Sequence, residues 1–327
     1  MVSSKDVAKK AGVSQSTVSR VINNPETVSK VRREKVEKVM KDLNYIPDSI
    51  ARSLISNKTN QISLISGTLI NPFFVEATRE IVSYAYKKGY TVNVFFEEDF
   101  SREDLYDKVF SQKTEGIILS SMYYESIYYD ELLKLKIPYL MFNRKHIEGG
   151  NYVEINNEQA GYIAAEYLAS KGHKHIHVFS GELEKSTFLG RYKGFCKAIT
   201  DLDLPLNENN FSIISENTES IEMEIKKTLM RKERPTAIYA TTDMIALIII
   251  DYVQKLGLRI PEDLAIIGTD NTETLRHSSF NLTSIGPIKD QRLSTIAIRQ
   301  LIEMINSDSG QSFQQTIPCR LYERKTV

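Results

Sequence analysis

Gln15, Ser16, Ser19 and Arg20 lie within one short stretch and together offer a forked donor, an amide and two hydroxyls. In the major groove of duplex DNA, a guanidinium pairs with O6 and N7 of guanine, an amide pairs with adenine, and a hydroxyl bonds to either base. Slightly downstream, Ser29, Arg32 and Arg33 suit phosphate oxygens, which set register without reading sequence. The chemistry on offer is therefore recognition of a polyanion rather than bond-making.

Such residues need rigid elements beneath them. Ser3 with Asp6 three residues on forms a capping box, and Val7, Ala8 and Ala11 then share one helical face. Gly12 permits the positive φ of a tight turn. Ser14 opens a second short helix whose Val18, Val21 and Ile22 form its buried stripe, leaving Gln15, Ser16, Ser19 and Arg20 outside. Ser29 is expected to cap a third helix, with Val36, Val39, Met40 and Leu43 closing a small core. Two short helices joined by a glycine turn, the second presenting Gln, Ser and Arg, describe a helix-turn-helix.

The formal charge of the 327 residues is zero, but it is unevenly spread: positions 1–58 hold 12 Lys and Arg against 6 Asp and Glu, and the remainder holds 30 against 36. A basic head on an acidic body directs the head toward DNA. Hydrophobic residues at 41% and charged residues at 26% are those of a water-soluble chain. The apolar run Ile245–Ile250 is far too short to span a bilayer, and Asp6, Lys9 and Lys10 interrupt any leader, so a cytoplasmic location is expected. Cys196 and Cys319 have neither metal-ligand nor redox spacing.

Beyond Asn60 the pattern changes to short apolar runs separated by amphipathic helices. Strands are expected at 62–66, 92–96, 116–120, 138–142, 175–180, 237–240, 265–268 and 316–321. This is the mark of βα units in an α/β body with parallel sheets. The order suggests two doubly wound subdomains, with a break near 145–160 and a crossing back near 285–290. A cleft between two such sheets is a natural pocket for a small molecule.

The run from Lys5 to Asn24, KDVAKKAGVSQSTVSRVINN, closely resembles the signature of the LacI/GalR family of repressors. So do Val28-Ser29, Arg33, Leu43-Asn44-Tyr45-Ile46-Pro47 and Ala51-Arg52-Ser53-Leu54, and the likeness continues to Leu321-Tyr322-Glu323-Arg324. The resemblance implies a helix-turn-helix domain over 1–46, a hinge helix and linker over 47–59, and an effector-binding and dimerisation domain over 60–327. Its fold would be an all-α head followed by a periplasmic-binding-protein-like body. It implies DNA contacts from Ser3, Gln15, Ser16, Thr17, Ser19, Arg20, Asn23, Ser29, Arg32, Ala51 and Leu54, with Leu54 as an apolar wedge in the minor groove. Asp48 stands where the family usually has Asn, and Arg32 where it usually has Thr.

In the body, the resemblance implies effector contacts from Asn71, Phe73, Phe74, Asn143, Arg191, Asp243 and Asp270. Core packing is an equal claim on Phe74. Thr242 and Pro287 depart from the residues common there, so the ligand is not copied from any one relative. A sugar or sugar derivative is the expected class, since hydroxyl-rich ligands need several donors and acceptors. Double-stranded, pseudo-palindromic operator DNA and a second copy of the chain are the other expected partners. Control by a phosphorylated carrier protein, as in one branch of the family, and a non-regulatory sugar-binding protein are the alternatives. The second would need a secretion signal and no head.

No cofactor, metal or catalytic set is expected. His173, His175 and His177 alternate, and would share one face of a strand, but no further ligands accompany them. Of the tyrosines in 123–129, only Tyr123 is near enough to a strand end to reach the cleft. If the head carries the DNA affinity, a chain beginning at Asn60 will not shift operator DNA in a gel. Binding by the full chain will fall steeply as salt rises from 50 to 200 mM, both being standard titration points for counterion release.

Overall fold

The computed structural model describes residues 2–45, 58–205, 210–215, 217–288, 291–307 and 312–327. The expected hinge helix, with Ala51 and Leu54, lies outside these residues apart from the last positions of its linker. The chain divides into two units, Met1–Asn60 and Gln61–Val327.

The first unit has helices α1 (Ser4–Ala11), α2 (Gln15–Asn23) and α3 (Lys30–Asp42). Helix α1 starts where Ser3 and Asp6 cap each other: the Asp6 carboxylate accepts the Ser3 N–H at 2.9 Å, and the Ser3 hydroxyl accepts the Asp6 N–H. Gly12 ends it at φ 63°, a backbone only glycine adopts without cost. Ser14 Oγ accepts the Thr17 N–H at 3.2 Å and starts α2. Val7, Ala8, Ala11, Val18, Val21, Val36 and Val39 are buried together, while Ile22 is only half-buried. Ser29 occupies the cap position of α3, but its hydroxyl makes no capping bond.

The second unit carries two six-stranded sheets. In chain order the strands are β1 (Gln61–Ser66), β2 (Thr91–Phe96), β3 (Gly116–Leu119), β4 (Tyr139–Phe142), β5 (Tyr152–Ile155), β6 (Ile176–Ser180), β7 (Phe211–Ile213), β8 (Ala237–Ala240), β9 (Ala265–Thr269), β10 (Thr283–Pro287), β11 (Gln314–Ile317) and β12 (Cys319–Tyr322). One sheet runs β11-β5-β4-β3-β1-β2 and the other β12-β10-β9-β8-β6-β7. Every pairing is parallel except β10 with β12. Helices α4 (Pro72–Lys87), α5 (Arg102–Phe110), α6 (Tyr129–Lys134), α7 (Asn157–Ser170), α8 (Ser186–Asp201), α9 (Thr218–Leu229), α10 (Asp243–Lys255) and α11 (Leu293–Asn306) connect them. Central strands such as β3 and β8 are buried from end to end, as strands covered on both faces must be.

Among the described residues the chain crosses between sheets three times. It leaves β5 through α7 for the second sheet, and returns after β10 through α11, which packs on β3, β4 and β5. The third crossing is at Pro318. Here the single strand expected over 316–321 is two strands, one in each sheet, because Pro318 has no N–H to continue a ladder. β5, β7 and β10 were not expected from sequence. β5 has a glutamate in its middle, β7 has three residues, and β10 ends in Gly-Pro, so none shows a clear apolar run.

Helices α7 and α8 pack closely because glycines remove the side chains between them. A Cβ on Gly161 would lie 1.9 Å from the Arg191 carbonyl oxygen, and one on Gly194 would lie 1.8 Å from that of Glu158. Both obstacles are backbone, which cannot swing aside. Gly161→Ala is therefore expected to cost about 3 kcal/mol or more, at the upper end of overpacking penalties. A urea midpoint unchanged from that of the parent chain would refute this.

Candidate DNA-contact face and ligand cleft

On the head, Gln15, Ser16 and Arg20 are exposed along α2, while Thr17, Ser19 and Asn23 are half-buried. Gln15 Nε2 donates to Ser4 Oγ at 2.9 Å, which ties the start of α2 to α1. Ser14 Oγ lies 2.8 Å from both Ser16 Oγ and Thr17 Oγ1, and Asn23 Nδ2 donates to Ser19 Oγ at 3.2 Å. Local bonds thus hold most of these side chains in place. Ser3 is spent on its cap. Ser29 and Arg32 are exposed near the start of α3. Lys30 and Arg33 make surface pairs with Glu34 and Glu37, of the kind worth only a few tenths of a kcal/mol.

In the second unit, a cavity of about 100 Å³ lies between the sheets. Phe73, Phe142, Asn143, Asp270, Pro287 and Arg292 are among its lining residues. Asn143 follows β4 at φ 54°, and Asp270 follows β9 at φ 124°. Such backbones are strained for residues with a Cβ, and strain of this kind gathers at ligand-facing turns. Phe73 stacks on Phe142 with centroids 5.6 Å apart and planes within 9°, giving the cavity an aromatic wall.

The structure spreads the other expected residues around this cavity rather than into it. Phe74 is buried against the turn after β1, where a Cβ on Gly67 would be 2.3 Å from its ring. Asn71 Oδ1 accepts the Phe73 N–H at 3.0 Å and caps α4. Asp243 is fully buried: one carboxylate oxygen accepts the N–H and hydroxyl of Thr272 at 2.8 and 3.0 Å, and the other accepts the Ser284 hydroxyl at 2.6 Å. It braces the loop carrying Asp270 and does not line the cavity.

Arg191 also has no exposed surface. It donates through Nε to Asn157 Oδ1 at 3.1 Å, through Nη1 to the Thr241 carbonyl, and through Nη2 to Asp270 Oδ1 at 2.9 Å. Asp270 stands between this guanidinium and the cavity. Burial pushes its carboxyl up to about 7, even with Arg191 pulling the other way.

Sequence reasoning overlooked a set of charged residues at the cavity's edge. Glu76 Oε1 accepts the N–H of Glu273 at 2.8 Å and that of Thr274 at 3.3 Å. Arg292 pairs with both Glu80 and Glu273. The signal was present: Phe73, Glu76, Ala77 and Glu80 recur at helical spacing and so share one face of α4. Tyr123 instead donates to Glu182 Oε2 at 2.7 Å beneath the Arg102 guanidinium, away from Asp270. Of the three alternating histidines, only His177 lies in a strand. It is buried 2.8 Å from Ser212 Oγ, and burial lowers its pKa to about 4.

Residues 4–48 match the family described as bacterial regulatory proteins, lacI family, and residues 165–327 match the periplasmic binding protein-like domain. The HTH-type transcriptional repressor PurR of Erwinia tasmaniensis is 32% identical over 336 aligned positions, covering 100% of this chain and 97% of its own. The chain belongs to the lacI family of bacterial regulatory proteins. PurR of Proteus mirabilis matches to the same extent, at 32% identity with 100% of this chain and 97% of the relative covered. Among solved structures, the lac repressor dimer bound to operator and the anti-inducer ONPF superposes with a TM-score of 0.84 at 25% identity, covering 99% of this chain and 98% of that one. A cellobiose complex of the regulator CelR covers 100% of both chains at 22% identity and a TM-score of 0.71, a likeness of fold. A lacI-family head and a two-lobed α/β body are thus what the described helices and sheets form, and the protein is a DNA-binding regulator.

Removing Arg191 strands a buried carboxylate, so Arg191→Ala is expected to cost about 3–5 kcal/mol near pH 8. The sign of its pH dependence follows from Asp270. A carboxyl raised above its unfolded value binds a proton in the folded state first, so folding gains as pH falls from about 7 toward about 4. The Arg191→Ala deficit should therefore shrink at pH 5. Thermal melts at the two pH values check it, and a deficit that grew on acidification would reverse the assignment.

Proposed function

We propose that this chain is a cytoplasmic repressor that holds a pseudo-palindromic operator as a homodimer and alters its hold when a sugar or sugar derivative fills the cleft. The observation that carries this reading is Asp270: a carboxylate braced from behind by a buried guanidinium, facing a cavity with an aromatic wall. Carboxylate and amide acceptors, from Asp270 and Asn143, suit neighbouring hydroxyls, and the Phe73 ring suits the apolar face of a sugar. A cavity of about 100 Å³ is smaller than the roughly 300 Å³ at which ligand pockets begin, so binding would have to part the lobes. That movement is a means of transmitting occupancy to the head. The likeness to PurR repressors and to a lac repressor dimer bound to operator supports the repressor and operator parts of this reading.

Two measurements test it. Sequences selected from a random duplex pool define the preferred site. On that site Arg20→Ala and Gln15→Ala should each cost about 1–3 kcal/mol, with little loss on random DNA. A thermal-shift panel of sugars and sugar phosphates should stabilise the parent chain, and Asp270→Ala should keep operator binding while losing that response. Equal losses on selected and random DNA would reduce Arg20 and Gln15 to backbone contacts, and an undiminished ligand response in Asp270→Ala would move the site elsewhere.

A further inference from the structure

Glu154, in β5 of the first sheet, is almost completely buried. Both its oxygens are engaged: Lys145 Nζ is 2.7 Å from one, and Asn157 Nδ2 donates to the other at 3.1 Å. An ionised carboxylate only accepts hydrogen bonds, so the Asn157 amide must turn its nitrogen toward Glu154 and its oxygen away. That oxygen accepts Arg191 Nε at 3.1 Å, and Arg191 passes on to Asp270 at 2.9 Å. The path begins at Lys145, two residues after Asn143, passes through Glu154 in the first sheet and ends at Asp270, just after β9 of the second. Neither Glu154 nor Asn157 lines the cavity.

We propose that Glu154 and Asn157 are positioning residues for the ligand site: the carboxylate fixes the amide, the amide fixes the Arg191 guanidinium, and the guanidinium fixes Asp270. The inference rests on the cleft reading above and adds a regulatory feature to it. The path crosses from one sheet to the other at the first inter-sheet connection, so the Arg191–Asp270 pair keeps this geometry only while the lobes keep their present relation. The glycines at 161, 190 and 194 support the path, since a Cβ on Gly190 would lie 2.7 Å from Asn157 Cβ. Tight packing leaves Asn157 and Arg191 little room to drift apart.

The test is a carbon-13 NMR titration of the Asp270 carboxyl in the full chain with no ligand added. Asp270 faces Arg191, Asp243 and Arg144, and only the grip on Arg191 is altered. Asn157→Ala deprives the guanidinium of one anchor, so the carboxyl should titrate higher by about one unit, the scale on which an opposite charge acts. Glu154→Gln, nearly the same shape, frees the amide to turn over and should shift Asp270 the same way by less. If Asn157→Ala does not fold, Glu154→Gln decides the matter. A folded variant that melts earlier while Asp270 titrates as in the parent chain would overturn the proposal and leave these residues as packing. Failure of the cleft reading looks different: sugars and sugar phosphates would then stabilise Arg191→Ala as well as the parent chain, whatever Asp270's titration shows.

Discussion

A guanidinium with no contact with water must find all its partners inside the protein, and Arg191 imposes that demand on everything around it. Its bonds reach an amide at the start of α7, a carbonyl after β8 and a carboxylate after β9. Three separate chain segments must therefore arrive at one point in register. The glycine contacts between α7 and α8 allow this, since they bring the Arg191 backbone against Gly161 with no side chain between. The pair gains little net stability from its charges, because desolvation offsets most of the attraction. What it supplies is a defined geometry for the carboxylate that faces the cavity.

Much of this was legible in sequence. The head was the clearest part: its caps at Ser3 and Ser14, its glycine turn and its valine stripe are local features, although the Ser29 cap expected on the same grounds does not form. The central parallel strands β3, β4 and β8 were equally plain, being short apolar runs. What escaped was set by distant partners. β11 and β12 read as one strand because nothing local says that Pro318 changes sheets. The Glu76, Glu80, Glu273 and Arg292 cluster joins residues from opposite ends of the body, and its pairing exists only once the lobes meet.

The expected site residues illustrate the same limit. The resemblance gathered Asn71, Phe74, Arg191, Asp243 and Asp270 into one group, but the fold gives them different work. Asn71 starts a helix, Phe74 fills a turn, Asp243 braces a loop and Arg191 holds Asp270, while Phe73, Asn143 and Asp270 face the cavity. A motif records which residue types recur at a position. It does not record whether the side chain meets a ligand or supports one that does.

The passage through Pro318 bears on how the chain is made. The first sheet ends in β11, yet residues 314–317 are made long after β5, the strand they pair with. While a nascent chain is still emerging, β5 has no neighbour on that side and presents an open row of backbone donors and acceptors. Unpaired strand edges invite pairing with other chains. Neither lobe is a continuous stretch of sequence, so neither completes itself before the segment around Pro318 has emerged. The two lobes have separate sheets but a single moment of closure.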